Sequence, residues 1–247
     1  MKRILIIGAT SAIAEACAKE WMTRSSCQFA LIGRNTDKLE AIASNLTARG
    51  AVSADTFELD INNLDLHQEV LSSALAVLGQ IDIALMAQGT LPDQEKCQKN
   101  ADYAVTEFTS NATSAIAFLT HLANQLEIQR EGRLAVISSV AGDRGRMTNY
   151  LYGAAKGALT TFVSGLTARL DKVGVYVSVI KPGFVQTPMT SGLDLPAKLV
   201  ATPEKVGQVI VKGVEKGKPV IYAPGFWLII MTIIKLIPSS IFKRLSL

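Results

Sequence analysis

Short apolar runs alternate with helical patterns along almost the whole chain, and this alternation limits the fold more than any other feature. The runs 3–7, 28–33, 52–58, 81–86, 133–138, 175–180 and 219–222 are rich in Ile, Leu and Val and show no apolar/polar alternation. That pattern is expected of strands covered on both faces. Helical patterns fill the gaps at 12–24, 37–49, 63–79, 101–130, 150–172 and 203–216. Six successive β–α units imply right-handed crossovers and one doubly wound parallel sheet of about seven strands, an α/β fold. Thr202-Pro203-Glu204 is a well-formed helix start. At 247 residues, half of them hydrophobic, the chain can bury a large core, which excludes a disordered protein. With no internal repeat and no linker before residue 224, residues 1–224 are expected to form one domain. Residues 225–247 follow as an apolar, basic extension.

The dinucleotide reading begins at the turn Gly8-Ala9-Thr10-Ser11-Ala12-Ile13-Ala14. A glycine at a strand end allows a tight turn, and the next helix then presents its N–H groups to a pyrophosphate. A plain βα turn would read the same way. The second strand ends Gly33-Arg34-Asn35. An acidic residue there would bind a ribose diol, whereas Arg34 suits a 2′-phosphate and so NADPH over NADH. A solvated arginine at a helix start is the alternative. Asp60 and Ile61 stand where an adenine contact is expected, although Asp60 also reads as a helix N-cap.

Chemistry enters with ISSVAGDRGRMTNYLYGAAKGAL, residues 137–159. Tyr152 and Lys156 lie four apart on one helix face, thirteen and seventeen residues after Ser139 at a strand end. An ammonium close to a phenol is expected to lower the phenol pKa from about 10, so that the tyrosine exchanges a proton with a substrate oxygen.

With these residues in place, the chain resembles the short-chain dehydrogenase/reductase family over about residues 1–222. Ser139, Tyr152 and Lys156 match the family's catalytic trio, and Asn111 in Ser110-Asn111-Ala112-Thr113 matches its asparagine. Lys181-Pro182-Gly183-Phe184-Val185-Gln186-Thr187-Pro188 matches the motif beside the nicotinamide. The resemblance implies a Rossmann-like fold and a homodimer or homotetramer. Tyr152 would be the general acid in reduction, and Lys156 would lower its pKa and bind the nicotinamide ribose. Ser139 would donate to the substrate carbonyl, and Asn111 would hold a water linking Lys156 to solvent. Gly8, Thr10, Ser11, Ala12, Ile13, Arg34, Asn35, Asp60, Ile61, Gln88, Gly89, Pro182, Gly183, Val185 and Thr187 would join Tyr152 and Lys156 around NADPH. Two departures stand out. Ala12 and Ala14 replace family glycines and add methyls near the phosphates. Met86-Ala87-Gln88-Gly89 keeps only the glycine of the family's asparagine-bearing segment, so the bracing must come from elsewhere.

The tail and one loop bear on the substrate. Phe226 to Ile237 is apolar but for Thr232 and Lys235, and it ends at Pro238. Twelve helical residues span about 18 Å, short of the roughly 30 Å hydrocarbon core, which argues against a transmembrane helix. A helix lying in a membrane interface fits better, and packing on the body or at a dimer interface is the alternative. Asp143-Arg144-Gly145-Arg146 is expected to rim the substrate mouth, where Arg144 and Arg146 could hold a phosphate; a solvated loop is the plainer reading. Gly8 to Ala14, the GDRGR loop, Lys181-Pro182-Gly183-Phe184 and the apolar tail resemble the branch of decaprenylphosphoryl keto-pentose 2-reductases, which implies a lipid-linked keto-sugar or another hydrophobic carbonyl substrate. Rival readings are a reductase of a soluble or carrier-bound ketone, such as a 3-oxoacyl thioester, and a non-catalytic dinucleotide sensor.

Several classes are disfavoured. Glu215 is the last acidic residue and five basic residues follow it, leaving 20 basic against 21 acidic residues before position 216. No basic nucleic-acid face is expected on the body. Cys17, Cys27 and Cys97 share no metal-type spacing, His67 and His121 are isolated, and no metal site is expected. The apolar run Ile4–Ile7 is too short for a signal peptide. A cytoplasmic protein, peripheral on the cytoplasmic face of the membrane, is the expected setting.

Overall fold

The computed structural model describes residues 1–245. Seven strands form one all-parallel sheet: β1 Lys2–Ile7, β2 Cys27–Gly33, β3 Ser53–Glu58, β4 Ile83–Met86, β5 Arg133–Ile137, β6 Tyr176–Pro182 and β7 Val220–Ala223. Their spatial order is β3-β2-β1-β4-β5-β6-β7. The order reverses between β1 and β4, which are paired from Ile4 against Ile83 to Ile7 against Met86. A crevice at the carboxyl ends of these strands is where an open α/β sheet binds ligands.

Two apolar clusters cover the two faces of the sheet. One joins Ile4, Ile6, Phe29 and Leu31 to Ala14, Cys17 and Trp21 of α1 (Ala12–Met22), Leu39 and Leu46 of α2 (Thr36–Ala48), and Val206 and Ile210 of α8 (Pro203–Glu215). The other joins Leu5, Ile7, Ala84 and Val136 to α3 (His67–Leu78), α6 (Ser114–Gln129) and α7 (Tyr150–Asp171). Continuous apolar strands are therefore buried from both sides, as their composition requires. The edge strand β3, SADTFE, is mostly half-buried and polar, which discourages pairing with other chains.

Four helix starts carry a side-chain cap that their sequence offers. Asn35 Oδ1 accepts from Lys38 N at 2.8 Å, and Asn100 Oδ1 accepts from Tyr103 N at 2.9 Å. Thr202 caps α8, with Pro203 in its first turn. The helix expected over 101–130 is not continuous. It divides into α5 (Ala101–Phe108), a π-helical turn Thr109–Thr113 and α6. An unanticipated helix, α4, covers Gln94–Lys99.

The tail forms α9 (Trp227–Leu236) and α10 (Ser239–Phe242). Trp227 and Met231 are buried with Val140 and Tyr222, and Phe184, Leu199, Ile230 and Ile234 pack around them. Full burial of one such side chain contributes about 1.5–3 kcal/mol. One face of α9 is thus fixed to the body.

Candidate active site

Six of the seven carboxyl-end loops of the sheet carry a residue singled out by its chemistry. Gly8 follows β1, Arg34 follows β2, Asp60 follows β3, Gln88 follows β4, Ser139 follows β5 and Gly183 follows β6. Gly8 has φ +77°, and a Cβ there would lie 2.5 Å from Gln88 N, so backbone strain and space both demand glycine. This contact presses β1 against the end of β4 at the switch point.

A cleft of about 450 Å³ opens there. Its lining includes Gly8, Thr10, Ser11, Ala12, Ile13, Arg34, Asn35, Asp60, Ile61, Gln88, Gly89 and Thr187. The first N–H groups of α1 have no helical acceptors, and the Ser11 side chain makes no capping bond that would compete for them. The cleft is suited to an anion at this end and to an elongated, partly charged ligand along its length. A dinucleotide fits that donor set.

Some expected roles shift. The Ala14 side chain is fully buried in the apolar cluster and does not line the cleft, so of the two added methyls only that of Ala12 approaches it. Asn35 serves α2 as its cap. Asp60 Oδ1 accepts from Asn62 N at 2.9 Å, which staples its own loop. Pro182, Gly183 and Val185 lie outside the cleft lining. Val185 is buried in the core, and a Cβ on Gly183 would fall 1.8 Å from Trp227 Nε1. Lys38, Asn62, Thr90 and Ser110 line the cleft and were not anticipated. Lys38 could have been found, since it stands in the first turn of the helix that begins just after Arg34. Neither cation has a carboxylate partner among the described residues.

Beside the cleft, three glycines let α7 approach the 3-10 turn Val140–Asp143 very closely. A Cβ on Gly142 would lie 2.8 Å from Gly157 N, one on Gly153 2.8 Å from Ala141 O, and one on Gly157 3.3 Å from Gly142 O. Ser138 completes the clamp, its hydroxyl donating to Lys156 O at 2.9 Å and bonding Thr160 Oγ1 at 2.7 Å. The next residue, Ser139, caps the 3-10 turn through Ala141 N at 3.1 Å, and its hydroxyl stands close enough to the Tyr152 phenol to lower that group's pKa. The Lys156 ammonium lies 5.7 Å from the Tyr152 ring centroid and is buried, with Ile137 O at 3.4 Å.

Asn111 sits in the π-helical turn, a device that re-aims side chains and recurs at functional sites. Its Oδ1 accepts from Thr90 N at 3.0 Å, and its Nδ2 donates to Thr90 Oγ1 at 2.7 Å and Glu107 O at 3.0 Å. Gln88 Nε2 donates to Ser110 O at 2.6 Å. Gln88 and Thr90 together supply the bracing left open by the missing asparagine. A Cβ on Gly89 would lie 3.0 Å from Lys156 Nζ and 3.1 Å from Asn111 Oδ1, so these two side chains meet over that glycine.

The electrostatics depart from expectation. Burial pushes the Tyr152 phenol up to about 12, opposed by the hydrogen bond with Ser139. Burial alone takes Lys156 down to about 8. Desolvation therefore outweighs any lowering of the phenol pKa by the neighbouring ammonium. At neutral pH the phenol keeps its proton while the lysine is mostly charged.

The GDRGR loop is bound into the tail. Asp143 pairs with Lys181 and accepts from Tyr222 OH at 2.6 Å. Arg144 Nη1 donates to Ile234 O at 2.5 Å and Ile237 O at 2.7 Å, and its guanidinium stacks on Phe242 at 3.7 Å. It caps the carboxyl end of α9 rather than standing in solvent. Arg146 Nη2 reaches Met231 Sδ at 3.4 Å, and its buried Nε has no partner among the described residues. The three cysteines are free and buried, and no metal-holding group of His, Cys, Asp or Glu occurs among the described residues.

Residues 2–197 match the family model for short chain dehydrogenase. An uncharacterized oxidoreductase of Mycobacterium tuberculosis is 34% identical over 242 residues, covering 98% of this chain and 96% of the relative. One from Streptomyces coelicolor is 33% identical over 244 residues, covering 99% and 96%. Among solved structures, levodione reductase has a TM-score of 0.81 at 18% identity, covering 92% of this chain and 97% of its own. A variant of actinorhodin polyketide ketoreductase with NADPH has 0.80 at 17%, covering 91% and 96%. At such identities these two structures bear on the fold alone.

Proposed function

The chain belongs to the short-chain dehydrogenase family of oxidoreductases, and from that premise we propose that it reduces a ketone to an alcohol with NADPH. One observation carries this reading: Tyr152, with Ser139 beside it and the Lys156 ammonium 5.7 Å from its ring centroid, stands at the sheet edge next to the dinucleotide-sized cleft, and burial keeps its phenol protonated at neutral pH. Bound NADPH supplies the hydride. Tyr152 delivers its proton to the developing alkoxide. Ser139 donates to the same oxygen, where charge grows. Lys156 holds the cofactor ribose and compensates the phenolate left behind. Asn111, fixed by Thr90 and Glu107, stations the water that returns a proton from solvent.

The preference for NADPH is supported by Arg34 and Lys38, two exposed cations at one end of the cleft that suit a 2′-phosphate. A lipid-linked keto-sugar or another hydrophobic carbonyl is the substrate class we favour, with the catalytic set in residues 1–224 and the apolar face of 225–247 supporting it. Arg146, with Nε unbonded, is the residue we assign to a substrate phosphate. Three reduced, buried thiols suit a cytoplasmic setting, and a homodimer or homotetramer is the assembly we favour.

NADPH oxidation across lipid-phosphate keto-sugars, acyl thioesters and neutral ketones tests this reading, with cofactor fluorescence titrated on wild type and Tyr152→Phe. Activity lost by at least about 100-fold with cofactor binding kept would support it. Cofactor binding without turnover of any ketone would leave a sensor instead.

A further inference from the structure

The tail helix α9 has two apolar faces, and the body covers only one. Trp227, Ile230, Met231 and Ile234 face inward. Phe226, Ile229, Ile233 and Leu236, spaced three, four and three residues apart, run along the opposite side and are 40, 66, 60 and 77% exposed. Ile241, at 54%, extends the exposed apolar surface into α10. Lys235, Lys243 and Arg244 are exposed along the same segment, and no acidic residue follows Glu215.

We propose that this outer face docks on an anionic lipid surface, with α9 lying in the membrane plane and Arg144 fixing it to the turn that follows Ser139. At ten residues α9 is only about 15 Å long, and no described helix is long and apolar enough to cross a membrane. An apolar stripe bordered by cations, in a segment whose sequence holds no Asp or Glu, is the composition of an interfacial helix. Charge separates this occupant from a second copy of the chain. Two-fold pairing across the stripe would bring the same three cations of each copy together, whereas anionic headgroups neutralise them. Because Arg144 donates to the last carbonyls of α9 from the loop that leads to Tyr152, docking also holds the reaction centre at a set orientation to the lipid. A substrate with a lipid tail could then present its polar end to the cleft without leaving the surface. This last step alone rests on the reductase reading; docking stands without it.

The test is flotation of the full chain with phosphatidylcholine vesicles, with and without phosphatidylglycerol. Wild type is expected to float with the anionic vesicles only, and to be released by high salt. Ile229→Glu/Ile233→Glu, both on the exposed face, should lower vesicle binding at least about tenfold. Lys235→Glu/Lys243→Glu/Arg244→Glu should do the same. NADPH titration verifies that each variant is folded, and vesicle-free oxidation with a soluble ketone tests the reductase reading separately. Wild type remaining unbound to anionic vesicles would overturn the proposal, as would equal flotation of the Ile229→Glu/Ile233→Glu variant. Light scattering on both proteins supplies the last check: an oligomer that this variant breaks into monomers would make the stripe a subunit contact and overturn it too.

Discussion

Gly183 lies directly beneath Trp227, so close that a Cβ on the glycine would fall 1.8 Å from the indole nitrogen. The glycine follows β6 at the carboxyl edge of the sheet, and the indole belongs to the tail, so this contact joins that edge to α9. Gly183→Ala should destabilise the protein by about 1–3 kcal/mol through overpacking. In a double-mutant cycle with Trp227→Ala the two penalties should combine to less than their sum, since the smaller residue removes the clash. Additive penalties from urea unfolding would deny the contact.

Arg34→Ala/Lys38→Ala should weaken NADPH binding about 10- to 100-fold, the range for losing hydrogen bonds to a charged group. NADH, which lacks the 2′-phosphate, should bind almost unchanged. Fluorescence titration with both cofactors decides the matter, and equal losses would refute the assignment.

Lys156 carries a pH signature. Its folded-state pKa of about 8 lies below the ordinary lysine value of 10.5, so between those values the unfolded chain holds more protons. Stability from this group therefore rises with pH across about 8 to 10.5, and the full burial penalty stands below 8. Tyr152 works oppositely: raised to about 12, it makes stability fall as pH climbs from 10 to 12. Lys156→Met should be more stable than wild type at pH 7 by up to about 3 kcal/mol. That advantage should shrink towards pH 10.5, and a pH-independent difference in denaturation would contradict it.

Arg144→Ala removes the donor to the carbonyls that end α9. A loss of about 1–2 kcal/mol is expected, confined to one region. Amide hydrogen exchange should quicken over 227–242 while β4 and β5 keep their protection. Uniform quickening would show instead that the tail and sheet open as one unit.

Arg146→Ala should raise the KM for a phosphate-bearing ketone about tenfold or more, leaving a neutral ketone little affected. An unchanged KM for the phosphorylated substrate would remove the phosphate assignment.

The sheet was legible because its inner strands, β4 and β5 above all, are largely apolar on both faces, a pattern that the helices packed on the sheet do not share. Ser139, Tyr152 and Lys156 could be placed from spacing, since thirteen residues of chain must return to the same edge. Three things could not be read. The π-helical turn at Asn111 leaves no composition signal, because Thr109–Thr113 suits an α-helix equally well. The direction of the Tyr152 shift depends on how much protein surrounds the phenol, which one-dimensional spacing does not encode. Arg144 and Asp143 looked like a solvent-facing loop, and their partners Ile234, Ile237, Lys181 and Tyr222 lie 38 to 93 residues away.

Ser138 and Ser139 are neighbours with opposite obligations. The first holds α7 through Lys156 O and Thr160; the second turns to the Tyr152 phenol. On the proposed reading, two adjacent codons answer to different selective pressures. Drift at 138 would be filtered by the abundance of folded protein in the cell, and drift at 139 by metabolic flux. A library randomised at both positions, sorted first for expression and then for turnover, would separate the two pressures within a single dipeptide.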